Sequence, residues 1–332
     1  MIWLAAPWAA TAADILQAQS GDAGWWLRTA GAESCVQDRA GERMACWEFA
    51  GRLTDLRETA DGWLAAGRGA DRSGGGLALF RGPGREGIVE SLAVPESSGV
   101  PRGRPTLVTD DLRLLGLVWL EGATQETLAV RAAQWLGKGW SEPVTVSPAL
   151  TGSQVAPEVT VLGDGRWLLV WTAFDGHDDE TVWSVFDRGR WSVPAPVHED
   201  NATPDILPAV VATGEGALAA WSWLDGRDYR LRTAFFDGRE WRVDPATGGR
   251  GALEARLLAT GGTYLLSFES VVPEQWVAWE LDARGHVLRR AAIERTGRVE
   301  RPLVEFLGAG VGFRWPMDSG LRETVAPWET GR

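Results

Sequence analysis

Residues 157–176 read PEVTVLGDGRWLLVWTAFDG, and residues 181–197 read TVWSVFDRGRWSVPAPV. The first segment holds two apolar runs separated by a Gly-Asp-Gly turn, and the second of these runs carries Trp171. The other segment holds two more runs on either side of a tight Gly turn that precedes Trp191. Apolar, β-branched and aromatic runs joined by Gly-containing turns are typical of antiparallel strands. The stretch therefore predicts a unit of four short strands.

The same order of markers occurs on both sides of this unit, in residues 105–147 and 208–244. In each copy a Pro begins the first strand, a Trp ends the second, and another Trp begins the fourth. The markers recur about every 50 residues, which is the period of a four-stranded propeller blade. They are Pro105, Pro157 and Pro208, then Trp119, Trp171 and Trp221, then Trp140, Trp191 and Trp241.

Looser copies of the unit fill the rest of the chain. Because one closed ring of repeats can absorb a chain of this length, we predict that residues 1–332 form a single all-β domain, a β-propeller. About seven four-stranded blades are expected, with six as the alternative. The blades are predicted to start near residues 14, 52, 101, 153, 204, 250 and 298.

Composition agrees with many short strands and tight turns, since the chain contains 41 Gly and 20 Trp. The net charge of −12 argues against a nucleic-acid-binding surface, which needs clustered Lys and Arg. No apolar run reaches the roughly 18 residues that a membrane span requires. We therefore expect no nucleic-acid partner and no membrane span.

Two interpretations of residues 1–13 stay open. Ile2–Trp8 has the pattern of a strand that would complete the last blade by pairing with its third strand, around residues 320–327. Alternatively, the segment is the end of a signal peptide, with an Ala-x-Ala-like site at residues 10–12 but without the usual basic leader.

The two cysteines flank a short hairpin. Its turn centres on Ala40 and Gly41, so symmetric pairing places Cys35 opposite Cys46, within disulfide range. A disulfide would indicate an extracytoplasmic location, periplasmic or secreted. The alternative is a pair of buried thiols that pack as small apolar groups.

The turns before two of the fourth-strand tryptophans carry a further motif, SVFDRGRW at residues 184–191 and TAFFDGREW at residues 233–241. They resemble shortened relatives of the Asp-box of sialidase-like propellers, Ser-x-Asp-x-Gly-x-x-Trp. Asp187, Gly189 and Trp191 match it best, with a Gly-to-Trp spacing one residue short. In that family the Asp caps the turn and the Trp packs between strands, so the resemblance implies the fold and not catalysis.

The sialidase catalytic set is missing from the sequence. That chemistry would need an arginine triad, a Tyr nucleophile with a Glu partner and an Asp acid/base. Tyr229 and Tyr264 are the only tyrosines, and neither precedes such a constellation. Common nucleotide-, metal- and serine-hydrolase motifs are also absent. The sequence therefore favours a protein that is not an enzyme.

Acidic residues concentrate in loops that are predicted to share one face of the propeller. Those loops join strands two and three of a blade, or join one blade to the next. The candidate binding residues are Asp175, His177, Asp178, Asp179, Glu180, His198, Glu199, Asp200, Asp225, Asp228 and Trp223. No motif requires a cofactor, although Asp178, Asp179, Glu199 and Asp200 offer the oxygen ligands that Ca²⁺ prefers.

We therefore predict a non-catalytic binding or scaffold propeller that engages a protein or a glycan through this acidic face. The alternative is a glycoside hydrolase, a lyase or a sialidase-like enzyme that uses carboxylates of the same face. A third interpretation is that the charged loops only keep a Trp-rich protein in solution. The phased tryptophans are expected in the core, whereas Trp223, Trp276 and Trp279 are freer to be exposed.

Overall fold

A computed structural model describes most of the chain. The described residues are 14–18, 24–70, 76–83, 88–97, 103–110, 113–148, 150, 152–174, 176–198, 203–244, 248–259, 262–270, 273–295, 301–317 and 320–330. Nearly all of them lie in strands or turns, and the one helix among them is a 3₁₀ turn at Gln125–Thr127. No helix in these ranges has the length and hydrophobicity to span a bilayer.

The strands form seven antiparallel sheets, which confirms the seven-bladed propeller over the six-bladed alternative. Blade 1 consists of β1 (Asp14–Gln17), β2 (Trp26–Ala30), β3 (Glu33–Gln37) and β4 (Arg43–Glu48). Blade 2 consists of β5 (Gly51–Thr59), β6 (Gly62–Gly69), β7 (Leu77–Pro83) and β8 (Glu90–Ser91). Blade 3 consists of β9 (Thr106–Thr109), β10 (Leu114–Glu121), β11 (Ala129–Gln134) and β12 (Val144–Thr145).

Blade 4 consists of β13 (Gln154–Val161), β14 (Trp167–Phe174), β15 (Asp179–Asp187) and an outer strand split into β16 (Arg190–Trp191) and β17 (Ala195–Pro196). Blade 5 consists of β18 (Asp205–Thr213), β19 (Gly216–Asp225), β20 (Asp228–Phe236) and β21 (Trp241–Val243). Blade 6 consists of β22 (Ala252–Ala259), β23 (Thr263–Glu269), β24 (Gln275–Leu281) and β25 (Val287–Glu294). Blade 7 consists, within the described residues, of β26 (Leu303–Leu307), β27 (Gly310–Met317) and β28 (Gly320–Pro327), and β29 (Glu329–Thr330) returns to pair with β25.

The phased tryptophans of the second strands are anchors of the core. Trp119, Trp171 and Trp221 are fully buried. Their indole N–H groups donate to Glu121 (3.0 Å), to Gln154 (2.5 Å) and to Asp205 (2.9 Å), respectively. A buried indole needs such an acceptor, because an unpaired N–H in the core costs free energy.

The expectation that Trp276 and Trp279 are exposed is wrong, since both are buried in β24. Trp276 packs in the cluster shared with blade 7, and Trp279 packs in the cluster shared with blade 5. Both faces of a blade are covered by its neighbours. Trp276 and Trp279 therefore meet neighbouring blades and not solvent.

Pro157 and Pro208 mark bulges in the innermost strands, whereas Pro105 comes immediately before the start of β9. In β13, Ala156 and Pro157 together face one residue of β14, and in β18, Leu207 and Pro208 do the same against β19. Proline suits a bulge because it has no N–H to contribute to the ladder. The residue before each proline has a left-handed backbone, with φ of 49° at Ala156 and 55° at Leu207, and Glu254 in the matching bulge of β22 has φ of 60°.

The ring closes where blade 1 meets blade 7. The Gln17 side chain donates to the Val304 carbonyl at 2.7 Å and accepts from the Val304 N–H at 3.0 Å. Arg39 of blade 1 also forms an ion pair with Glu305 at 3.3 Å. The proposed closing strand, Ile2–Trp8, lies outside the described residues, and its expected partner segment is strand β28.

The hairpin of blade 1 places Cys35 directly opposite Cys46, and the two form a disulfide with a Cα–Cα distance of 4.1 Å. Asp-capped turns also recur between third and fourth strands. The Asp237 carboxylate accepts from the N–H groups of Glu240 and Arg239, both at 3.0 Å, and these bonds lower the pKa of its carboxyl group.

We expect the Gln17→Ala variant to lose about 1–3 kcal/mol of stability, because both backbone groups of the buried Val304 would lose their partner. Urea unfolding of the variant and the native protein measures this loss. Gln134→Ala, on β11 within one blade, is the control. A Gln17→Ala variant as stable as the native chain would show that this contact does not hold the ring closed.

We also expect neither cysteine of the native protein to react with iodoacetamide until a reductant is added, because both sulfurs are bonded. Intact-mass spectrometry before and after reduction measures the number of adducts. Two adducts on unreduced, folded protein would contradict the disulfide.

Candidate functional site

The predicted loop face exists, and it is organised by strand register. Gln154, Ala173 and Glu180 are cross-strand neighbours at the end of blade 4 where the chain enters from the preceding blade. Asp205 and Trp223 occupy the matching level of blade 5. The loops between second and third strands and the links between blades therefore meet at this face. Of the candidate residues, Asp175, Glu199 and Asp200 lie outside the described residues.

Three of the side chains at the junction of blades 4 and 5 converge. One ligand atom each of Glu180, His198 and Asp205 lies within 4.8 Å of the others. Glu180 and Asp205 are buried and His198 is half-buried. His198 Nδ1 is 3.9 Å from an Asp205 carboxylate oxygen. Sequence analysis did not single out Asp205. Its other carboxylate oxygen accepts a hydrogen bond from the Trp221 indole, and this bond holds the carboxylate at the centre of the cluster.

A cation also contacts this cluster, through the histidine. Arg232 Nη1 lies 2.5 Å from His198 Nε2, and its guanidinium stacks on the Trp223 ring with Cζ 3.8 Å from the centroid. Trp223 donates in turn to Thr203 Oγ1 at 3.2 Å. Trp223 is therefore half-buried beneath an arginine and not a free stacking platform.

The contact between Arg232 and His198 also decides the histidine tautomer. An arginine is always protonated, so Nε2 must be the acceptor and the neutral ring carries its proton on Nδ1, which faces Asp205. Neither ring nitrogen then offers a lone pair toward the carboxylates. The cluster of Glu180, His198 and Asp205 accordingly fits a charge network between blades better than a metal site.

The remaining candidates are distributed over the same face without a common centre. Asp225 forms an ion pair with Arg230 at 2.7 Å, and Asp228 forms one with Arg250 at 3.1 Å. Blade 5 therefore contributes little net negative charge there.

Blade 4 brings its loop residues toward blade 5. Burial raises the pKa of Tyr229, and the nearby Asp179 carboxylate of blade 4 adds to that shift. His177 is exposed at the loop tip, and Asp178 is half-buried. The structure thus joins Glu180 and His198 in one cluster and leaves His177 outside it.

The feature that sequence analysis missed is a cavity of about 400 Å³ on the propeller axis. It is enclosed by the innermost strands of blades 1, 2, 4, 5 and 6, near the ends where these strands begin, and the three left-handed bulge residues line it. Its charged lining comprises four guanidinium groups and three carboxylates, namely Arg52, Arg104, Arg256, Arg301, Asp55, Glu158 and Glu254. Because these strands begin at the loop face, the cavity lies near that face.

Several of these charges are held by the protein itself. Arg57 binds both oxygens of Asp55 at 3.0–3.1 Å, and one oxygen also accepts from the Leu107 N–H at 2.8 Å. Glu254 pairs with Arg301 at 2.8 Å. Asp55 thus acts as a link between blades 2 and 3, whereas Glu158 stands near two guanidinium groups.

Desolvation affects two of the cavity arginines. Burial in the cavity wall lowers the pKa of Arg104, although its side chain is still exposed to solvent within the cavity. Burial, with the nearby Arg301 charge, lowers the pKa of Arg256 to about 9, so the group keeps its charge at neutral pH. Arg256 also donates to the Gln17 carbonyl of blade 1.

No protein-family model matches the chain, and no curated protein matches it in sequence. Solved structures do match. A variant of the Aleuria aurantia lectin in complex with α-methyl-L-fucoside is 12% identical, with a TM-score of 0.51 over 95% of each chain. A polysaccharide lyase of family PL25, an ulvan lyase bound to -[GlcA(1-4)Rha3S]-, is 11% identical, with a TM-score of 0.56 over 94% of this chain and 89% of that one.

A protein of unknown function from Dyadobacter fermentans is 12% identical, with a TM-score of 0.55 over 85% of this chain and 96% of that one. At such identities the likeness shows the fold alone. The comparisons support the propeller and do not support the Asp-box sialidases in particular.

We expect Arg232→Met to destabilise the fold by about 2–4 kcal/mol at pH 7, because the buried cluster of Glu180, His198 and Asp205 would lose the guanidinium that contacts His198. Asp205→Asn should destabilise the fold much less. At the same position of blade 4, the Gln154 side-chain amide already accepts the hydrogen bond of the Trp171 indole. Denaturant unfolding of both single variants and of the double variant tests the network. The double variant should recover part of the Arg232→Met loss, and strictly additive losses would contradict the coupling.

Proposed function

We propose that this chain is a non-catalytic glycan-binding propeller, and that its ligand enters the axial cavity from the loop face. The observation that carries the proposal is the cavity itself, about 400 Å³ at the place where the innermost strands begin. This volume falls in the range of small-ligand sites and can hold a sugar residue.

The chemistry of the lining suits a saccharide. Guanidinium groups and carboxylates provide directional donors and acceptors for hydroxyl groups, and the bulge residues Ala156 and Leu207 with Pro208 supply apolar wall between them. The matched lectin was solved with a fucoside and the matched lyase with an acidic oligosaccharide. Those ligands belong to those proteins, and they support a glycan as the ligand class for a shared fold.

The lining favours binding over turnover. Among the described residues it contains no His, Tyr, Lys, Cys or Ser. Asp55 is held by Arg57 and a backbone N–H, and Glu254 is paired with Arg301. A glycoside hydrolase needs a carboxylic acid and a second carboxylate that are available to the substrate. Glu158 is the one residue on which that alternative function would rest.

The acidic loops remain part of the proposal as the rim of the site. Asp178, Asp179 and His198, with the Trp223–Arg232 stack, lie on the face that a ligand longer than one sugar, or a protein that carries the glycan, would cross. Calcium on Asp178 and Asp179 would belong to this rim. The disulfide of blade 1 supports work outside the cytoplasm, periplasmic or secreted.

The Leu207→Trp variant tests the location of the site. We expect it to fold normally and to lose at least about tenfold in glycan affinity, because an indole would fill a position on the cavity wall. A glycan array, followed by titration calorimetry on the strongest ligand, measures the affinity. Val193→Trp, at an exposed position outside the lining, is the matched control.

The same ligand should be recovered intact after long incubation with the protein. Products that appear with the native chain and vanish with Glu158→Gln would establish the hydrolase alternative. Unchanged affinity in Leu207→Trp would place the site elsewhere.

A further inference from the structure

We infer that the sugar bound in the axial cavity is an anionic one, with its negative group held by Arg104 beside Arg256. This inference rests on the proposed function and names its ligand class. The shared chemistry is a localised oxyanion on a sugar ring, whether carboxylate or sulfate.

The charge of the cavity lining is the first argument. Four guanidinium groups face three carboxylates, but the Asp55 charge is already neutralised from behind by Arg57, with Nε to carboxylate distances of 3.0–3.1 Å. The other two carboxylates of the lining are Glu158 and Glu254, so its cations outnumber its anions even when Asp55 is counted. The lining carries a net positive charge within a protein whose net charge is −12.

The second argument is that the cavity arginines differ in their contacts and in their exposure to solvent. Arg301 is paired with Glu254, and Arg256 donates to the Gln17 carbonyl. Arg104, in contrast, is exposed to solvent within the cavity. A planar guanidinium in that position can bind an oxyanion through two parallel hydrogen bonds.

The cost of holding these cations is the third argument. The cavity wall desolvates Arg104 and Arg256, which disfavours their charged forms and lowers both pKa values. A bound anion would offset this cost, so the arrangement stabilises a liganded state more than an empty one. Uncharged residues at these two positions would give a more stable fold. Binding sites commonly contain residues that lower the stability of the unliganded protein.

The acidic residues around the cavity limit the ligand to one negatively charged sugar residue. Outside the cavity the same face carries Asp178, Asp179 and Glu180, and the whole protein is acidic. A chain charged at every residue would meet repulsion along this face, whereas one anionic residue inside the cavity would not. The ligand is therefore expected to be a glycan with one acidic sugar at the position that enters.

The experiment compares a glucuronate-terminated disaccharide, its methyl ester and a 6-sulfated neutral disaccharide. The ester keeps the shape of the acid without its charge. We expect the native protein to bind the acid at least about tenfold more tightly than the ester. Titration calorimetry at low and at moderate ionic strength gives the affinities, and the preference should shrink as salt rises. Comparison of the acid with the sulfated sugar distinguishes the two sources of negative charge.

Arg104→Gln is the decisive variant. It should bring the acid-to-ester affinity ratio close to one without lowering the midpoint of thermal unfolding, since a desolvated charge is removed. Arg190→Gln, at an exposed position on the outer strand of blade 4, is the matched control and should keep the native ratio.

The outcomes separate the inference from the proposed function. Equal affinity of the native protein for acid and ester, or an Arg104→Gln variant that keeps the native ratio, would overturn the anion site while glycan binding stands. Absence of binding to these sugars and to the whole glycan array would overturn the proposed function itself.

Discussion

The buried indole N–H groups of Trp119, Trp171 and Trp221 on the second strands each need an acceptor, and the start of the innermost strand in two blades depends on how that need is met. Blades 4 and 5 meet it with the first residue of the innermost strand, Gln154 for Trp171 and Asp205 for Trp221. The acceptor fixes the start of that strand against the second strand of its own blade. Asp205 also brings a negative charge into the core, which the neutral Gln154 does not. The cluster with His198 and Arg232 is a consequence of that charge.

The bulges in the innermost strands of blades 4 and 5 lie opposite the same buried tryptophans. Two residues of β13 and two of β18 are accommodated opposite the tryptophan of the adjacent strand. A non-glycine residue with a left-handed backbone costs on the order of 1–3 kcal/mol, and three blades carry one at the matching place. All three residues, Ala156, Leu207 and Glu254, line the axial cavity. The irregularity of the strands thus coincides with the candidate site.

Electrostatics divides the loop face into two parts with different roles. At the junction of blades 4 and 5, Arg232 contacts His198, which faces the buried Asp205 carboxylate, so the network joins two blades. On the axis, arginines of blades that are distant in sequence meet with an incomplete set of carboxylates, and they pay a desolvation cost. Groups whose charges are mutually satisfied stabilise the fold. Under the inference drawn above, Arg104, which is exposed to solvent on the axis, is the cation that a ligand would contact.

The sequence by itself determined the propeller, the blade period and the pairing of Cys35 with Cys46, because each rests on local periodicity. A strand repeats every two residues, a hairpin is symmetric about its turn, and a blade repeats its markers about every 50 residues. The sequence also located the loop face, since connectivity alone places those loops together, but it did not single out Asp205. Trp276 and Trp279 were misjudged because exposure depends on the neighbouring blades.

Only the tertiary structure revealed the axial cavity. Arg52, Arg104, Arg256 and Arg301 are spread over four blades, and nothing local distinguishes them among the 33 Lys and Arg residues of the chain. Closing the ring brings them to a common axis, and the bulges decide which side chains enter it. Convergence around an axis is a property of the closed ring, so no window of sequence contains it.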